Sequence, residues 1–287
     1  MKKLVFTLAT CCIMCACEQK TETNPFFTEF RTEYGAPDFD KIKIEHYEPA
    51  FLKGIEEQNA EIKAIVESRE TPGFENTIVA LDNSGRTLAR VKGVFYALTE
   101  ADTNDEMSAL SEKIAPVLSE HNDNIYLNQD LYKRVAAVWQ QEQEGKITLT
   151  TEQHRLLDRY YKAFIRSGAG LDAGKQNRLR EINKELSTLA ITFSNHILNE
   201  NNAYRLVIDN EAELAGLPEW VKTGAAEEAK AVGKEGKWLF TLQNSSRLPL
   251  LQYADNRELR KDIYEAYINR GNNGDANDNK EILKKII

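Results

Sequence analysis

The sequence predicts a mainly α fold, an elongated multi-helical scaffold with a small strand–helix–strand insertion near residues 203–243. Three observations lead there. Residues 171–202 form the longest uninterrupted helical pattern in the chain. Leu179, Ile182, Leu186, Leu189 and Phe193 recur at spacings of three and four, Ile197 continues the line, and Arg178, Arg180, Glu181, Lys184 and Glu185 take the other faces. Patterns of the same kind follow one another through most of the segment before it. Only two short runs, 204–208 and 238–242, favour strands. A helix over 171–202 would span about 45 Å at 1.5 Å per residue. It cannot bury its stripe alone, so the sequence predicts that it is the central post on which other helices pack.

Taken in order, the chain opens with Lys2 and Lys3 before an apolar run over 4–16, too short for a stable bilayer span. The ending Ile13-Met14-Cys15-Ala16-Cys17 resembles a bacterial lipoprotein signal, in which the cysteine after a small residue is lipidated. Residues 1–16 are therefore read as signal peptide and Cys17 as the lipid attachment site. An ordinary secretory signal cut nearby is the competing reading. All four cysteines, Cys11, Cys12, Cys15 and Cys17, lie in this segment. Cleavage before Cys17 leaves no thiol pair, which excludes a disulfide framework and a cysteine metal site.

Residues 17–24 are polar and read as a tether, and 25–202 as a helical domain. Phe39, Ile42 and Ile44 suggest an extended entry before Pro49. Helices are expected over 50–68, 76–99, 105–121, 130–144 and 151–167. The second has Gly85 in its middle at a cost of about 1 kcal/mol, and the third is kinked at Pro116. Asp172 caps the long helix and the asparagines of 199–202 end it. Beyond it, Leu217-Pro218-Glu219-Trp220 opens a helix closed by Gly233, between the two strand runs. Asn244-Ser245-Ser246 reads as a turn, 253–268 as a helix and 271–279 as a polar loop. Residues 279–287 read as the first turns of another amphipathic helix without a stop, which gives the expectation of a front part of a longer protein.

At 41% hydrophobic and 29% charged residues, the composition is that of a soluble globular chain. The net charge of −8 and the lack of a basic run argue against nucleic acid as a partner. Chemistry is sparse. None of His46, His121, His154 and His196 has a second histidine four residues away, so the H-E-x-x-H zinc pair is missing. His196 and Glu200 have the spacing of half a metal site, but a histidine near a helix C-terminus, favoured by the dipole, is the preferred reading. Glu56-Glu57-Glu61 and Glu227-Glu228 read as solvated faces. No P-loop, dinucleotide fingerprint or nucleophile elbow is present.

Six segments in register carry a resemblance: Asn24-Pro25-Phe26-Phe27, His46-Tyr47-Glu48-Pro49-Ala50-Phe51, Phe74-Glu75-Asn76-Thr77-Ile78, the stretch Asn183 to Asn195, Ala215-Gly216-Leu217-Pro218-Glu219 and Asn256-Arg257-Glu258-Leu259-Arg260. The Tyr264-Glu265-Ala266-Tyr267 run follows. Together they resemble the N-terminal half of the thimet oligopeptidase family of zinc metallopeptidases, in its peptidyl-dipeptidase Dcp and oligopeptidase A branch. The resemblance implies a neurolysin-like helical fold with a deep channel for short peptides. It also implies a zinc ion held by an H-E-x-x-H helix and a later glutamate, all outside this chain. No catalytic or metal residue is carried over to any position here, and no zinc is expected to be bound by these residues. Residues 203–287 are then the insertion and the start of a truncated catalytic region.

The expected function is the N-terminal portion of a lipid-anchored zinc metallopeptidase acting on short peptides in the bacterial cell envelope, touching the membrane through its lipid only. The alternative is a non-catalytic helical lipoprotein that binds peptides or a partner protein.

Overall fold

The computed structural model describes residues 24–287. The signal segment 1–16, Cys17 with the other cysteines, and all of the tether but Asn24 lie outside them. Short 3-10 turns at Pro25–Phe27, Glu33–Gly35 and Phe39–Lys41 lead into helix α1 (Ile44–Glu67). A π-turn at Phe74–Val79 runs into α2 (Ala80–Asp82), followed by α3 (Arg86–Ala101), α4 (Asp105–Tyr126), α5 (Gln129–Gln143), α6 (Thr151–Arg166) and α7 (Ala173–Ala203). Then come β1 (Leu206–Ile208), a 3-10 turn at Glu211–Leu214, α8 (Glu219–Ala231), β2 (Trp238–Phe240), α9 (Asn244–Tyr253), α10 (Arg257–Ile268) and α11 (Lys280–Ile286). The fold is mainly α, with the small strand–helix–strand unit where the sequence puts it. β1 and β2 pair antiparallel, Val207 opposite Leu239, and α8 packs on β2.

Short polar side chains set most helix starts. The side chains of Asn104, Asn128, Asp172 and Asn256 accept backbone N–H groups of the first turns of α4, α5, α7 and α10. Thr150 and Gln153 form a reciprocal capping box on α6.

Four local expectations are corrected. The chain is not extended up to Pro49. α1 starts at Ile44, where His46 Nδ1 accepts the Lys43 backbone N–H at 3.0 Å, and Pro49 sits inside the helix. The pattern over 76–99 is not one helix. Gly85 adopts φ +73°, in the left-handed region, and separates α2 from α3. Asn244-Ser245-Ser246 is the first turn of α9 rather than a turn after a strand, with Ser246 Oγ accepting the Thr241 N–H at 2.9 Å. The helix expected over 253–268 begins only at Arg257, after the Asn256 cap.

The apolar residues fall into three clusters. Phe26, Tyr47, Phe51, Val91 and Phe95 join α1, α3 and α4, with the Phe51 and Phe95 rings edge to face at 5.3 Å. Ile62, Ile78, Leu131, Val138, Leu157 and Phe164 join α1, α5 and α6. Ile208, Leu214, Phe240, Leu250 and Ile263 hold the insertion to α9 and α10. Gly54 allows the close crossing of α1 and α3, since a Cβ there would lie 2.8 Å from the Leu88 backbone. The long helix is not a central post. α7 has no buried residue, and Ile182 on its stripe is 37% exposed. It packs along α4 on one side and meets α11 near its end, so its stripe is half-covered. The spacing fixes which residues share a face, but not how many neighbours that face receives.

Candidate functional site

The polar residues worth weighing gather at two junctions and one groove. The first junction lies where α7 meets the loop before α11. His196 Nδ1 donates to Asn279 Oδ1 at 2.9 Å, while Asn279 Nδ2 donates to the Phe193 carbonyl at 3.0 Å. Glu200 accepts the Gly271 N–H at 2.8 Å through Oε2 and the Asn273 amide at 3.1 Å through Oε1. Asn279 is itself buried. The two residues with metal spacing are thus brought to one place, but as a clamp on the 269–279 loop. Both oxygens of Glu200 and the donor nitrogen of His196 are spent on it.

The second junction joins α1, the turn after α2 and α4. His121 Nε2 donates to Gln58 Oε1 at 2.7 Å, Gln58 Nε2 donates to Ser84 Oγ at 3.1 Å, and Ser84 Oγ donates to the Leu81 carbonyl at 2.8 Å. With Gln58 Oε1 turned to the ring, the imidazole is the Nε2–H tautomer. Nδ1 is left buried with no partner. Burial, and then the Lys92 charge, hold the His121 pKa below its ordinary value. The adjoining cavity, of about 190 Å³, is also lined by Asp82, Lys92, Tyr126 and Tyr160. The Tyr160 hydroxyl donates to Asp82 Oδ1 at 2.8 Å, and burial followed by this bond raises its pKa.

The groove runs between α4 and α7. Ser119, Asn122, Asp123, Arg166, Asn183 and Ser187 line about 530 Å³ of open, polar space. Asp123 is buried and accepts the Asn183 amide at 2.8 Å. Burial raises its pKa, against the opposing effects of that bond and of Arg180. Farther along the same pair, Arg180 donates to Asn124 and Asn195 to Glu112. Asn183 and Asn195 bound the stretch that carries the resemblance on α7, and both tie α7 to α4. Their partners, Asp123 and Glu112, were not singled out in the sequence, because a carboxylate on a polar helix face looks solvated until its neighbour is known.

The remaining sequence candidates play lesser parts. His46 caps α1, and His154 Nδ1 lies 2.8 Å from Glu142 Oε1 on the α5–α6 surface. Glu227 and Glu228 are exposed, and Glu61 accepts the Gly85 N–H at 2.7 Å. Among the described residues no group of three His, Cys, Asp or Glu side chains is placed to hold a metal ion.

No protein-family model matches the sequence. Dipeptidyl carboxypeptidase of Escherichia coli strain K12 is 38% identical over 267 residues, covering 93% of this chain and 39% of that protein. Oligopeptidase A of Salmonella typhimurium is 31% identical over 269 residues, 92% of this chain and 38% of its own length. The matched part is the N-terminal part of both. The chain belongs to the thimet oligopeptidase family. It spans about two fifths of the length of these curated relatives, rather than the half expected from the sequence. The yeast member saccharolysin, from Saccharomyces cerevisiae, matches more distantly, at 25% identity over 203 residues.

Proposed function

We propose that these residues form the N-terminal portion of a zinc metallopeptidase that cleaves short peptides, of the peptidyl-dipeptidase or oligopeptidase type. In this reading residues 25–202 are a helical wall beside the peptide, and 203–287 begin the region that carries the chemistry. The zinc ligands belong to the part of the family's length that these residues do not span. Lipid attached at Cys17 holds the protein in the bacterial cell envelope, and short peptides are the partners. The single observation that carries the reading is the 38% identity to dipeptidyl carboxypeptidase over 93% of the chain.

What the wall contributes is shape and hydrogen bonding. A peptide lying in the α4–α7 groove would meet Asn122, Asn183, Ser119 and Ser187, which can pair with its backbone amides, and Arg166, which can pair with a carboxylate. In this reading metal-activated water, which needs an open coordination position, comes from the part of the family's length that these residues do not span.

The test is hydrolysis of an internally quenched oligopeptide by the 287-residue chain, alone and fused to the remaining three fifths of the Escherichia coli relative. The expected result is chelator-sensitive turnover by the fusion and none by the chain alone. A folded fusion without turnover would overturn the peptidase reading. It would favour the helical lipoprotein that only binds.

A further inference from the structure

His121 differs from the other described histidines. It is 6% exposed, whereas His46, His154 and His196 all keep contact with solvent. Its Nε2 proton is given to Gln58 Oε1, and the Gln58 amide N–H is in turn given to Ser84 Oγ. A second proton on the ring must therefore go to Nδ1, which is buried and has no partner.

None of the groups around the ring is within hydrogen-bond distance of Nδ1. From α3 comes Lys92, a positive charge that opposes imidazolium. From α2 comes Asp82, which takes the Tyr160 hydroxyl and Arg159 of α6 on Oδ1. Nearby on α1, Glu61 takes the Gly85 N–H. Tyr126, on α4 itself, and Tyr160 are phenols that stay protonated, since burial raises both. Two residues on from His121, Asp123 is turned to Asn183 of α7. Water is the acceptor that remains, and the cavity has room for several, at about 30 Å³ each.

The junction also has a place in the architecture that gives its opening a consequence. α1 packs chiefly on α3, and α4 chiefly on α7. His121, Gln58 and Ser84 fasten one pair to the other. We propose that this junction is an acid-sensitive joint, in which a proton taken from solvent by His121 Nδ1 draws water into the cavity and loosens the α1–α3 pair from α4. No covalent bond changes, and the proton returns to solvent when the joint closes.

Two measurements on the 287-residue chain test it. Nitrogen-15 spectra of the histidine side chains are expected to show His121 as the Nε2–H tautomer at pH 7.5, titrating with a midpoint below 6.5. Amide exchange in α4 and in residues 83–85, corrected for intrinsic rates, is expected to report an open population that grows by up to about tenfold per pH unit below pH 6.5. His121→Gln keeps a donor for Gln58 and cannot titrate, so its corrected exchange should be flat. An Nδ1–H tautomer, a midpoint at or above 6.5, or the same acid response in the variant would overturn the proposal. Should the variant not fold, the wild-type spectra decide alone.

Discussion

At the scale of single residues, burial and partner decide what each polar group does. His196 shows this most plainly. Two carbonyl and carboxylate contacts turn a candidate metal half-site into a loop clamp. His196→Ala leaves the buried Asn279 carbonyl oxygen without its donor, a loss of about 1–3 kcal/mol. Denaturant unfolding is expected to show that loss, with the earliest proteolytic cleavage moving to residues 269–279. Unchanged stability would mean that the clamp is not formed.

Acid dependence follows from two neighbours with opposite signs. His121 has a folded-state pKa below its unfolded value, so its contribution is complete above pH 6.5 and is lost as pH falls below that. Asp123 has a folded-state pKa above its ordinary 3.8, so in the folded chain it takes up a proton first, and acidification toward 3.8 favours folding at that site. Melting temperature is therefore expected to fall between pH 7.5 and 5.5 in the wild type, and to fall less in His121→Gln. An equal fall in both would assign the effect to other groups.

At the scale of elements, the helices themselves were readable where caps and periodicity agree. The 171–202 pattern lies within two residues of the observed 173–203, and Asp172 caps it as expected. Failures came where one residue's conformation outranks a pattern. Gly85 keeps the apolar rhythm of its neighbours, and only its left-handed φ reveals the break. The start at Ile44 rests on His46 capping, a role that the Ser, Thr, Asp and Asn preference does not announce. The role of α7 as post was unreadable, because depth in a bundle depends on partners from distant sequence. Stability should follow the observed depth rather than the pattern. Phe164→Ala, in the α5–α6 core, is expected to cost about 3–5 kcal/mol, and Ile182→Ser on α7 under about 1 kcal/mol. Gly54→Ala, forced against the Leu88 backbone, is expected to cost about 1–3 kcal/mol. Equal losses at positions 164 and 182 would restore α7 to the centre.

At the scale of the whole molecule, the fold class and the family were both legible in the sequence. Helical periodicity gave the first, and six short segments in register gave the second. The polar junctions were not legible, since each joins residues more than 20 positions apart, as Gln58 and His121 are. The lipid attachment proposed at Cys17 is tested apart from the fold. An alkyne fatty acid is expected to label the protein in bacterial cells, and Cys17→Ser to remove the label. Full labelling of that variant would move the site to another cysteine or to none.

In the function proposed, the described residues build a scaffold and leave the metal chemistry to the rest of the family's length. Zinc content of the purified 287-residue chain after equilibrium dialysis tests it most directly, read by mass spectrometry beside a His196→Ala control. The expected result is far less than one zinc per chain, the same in both proteins. One tightly held zinc per chain, lost in the control, would contradict the claim and make His196 and Glu200 ligands after all.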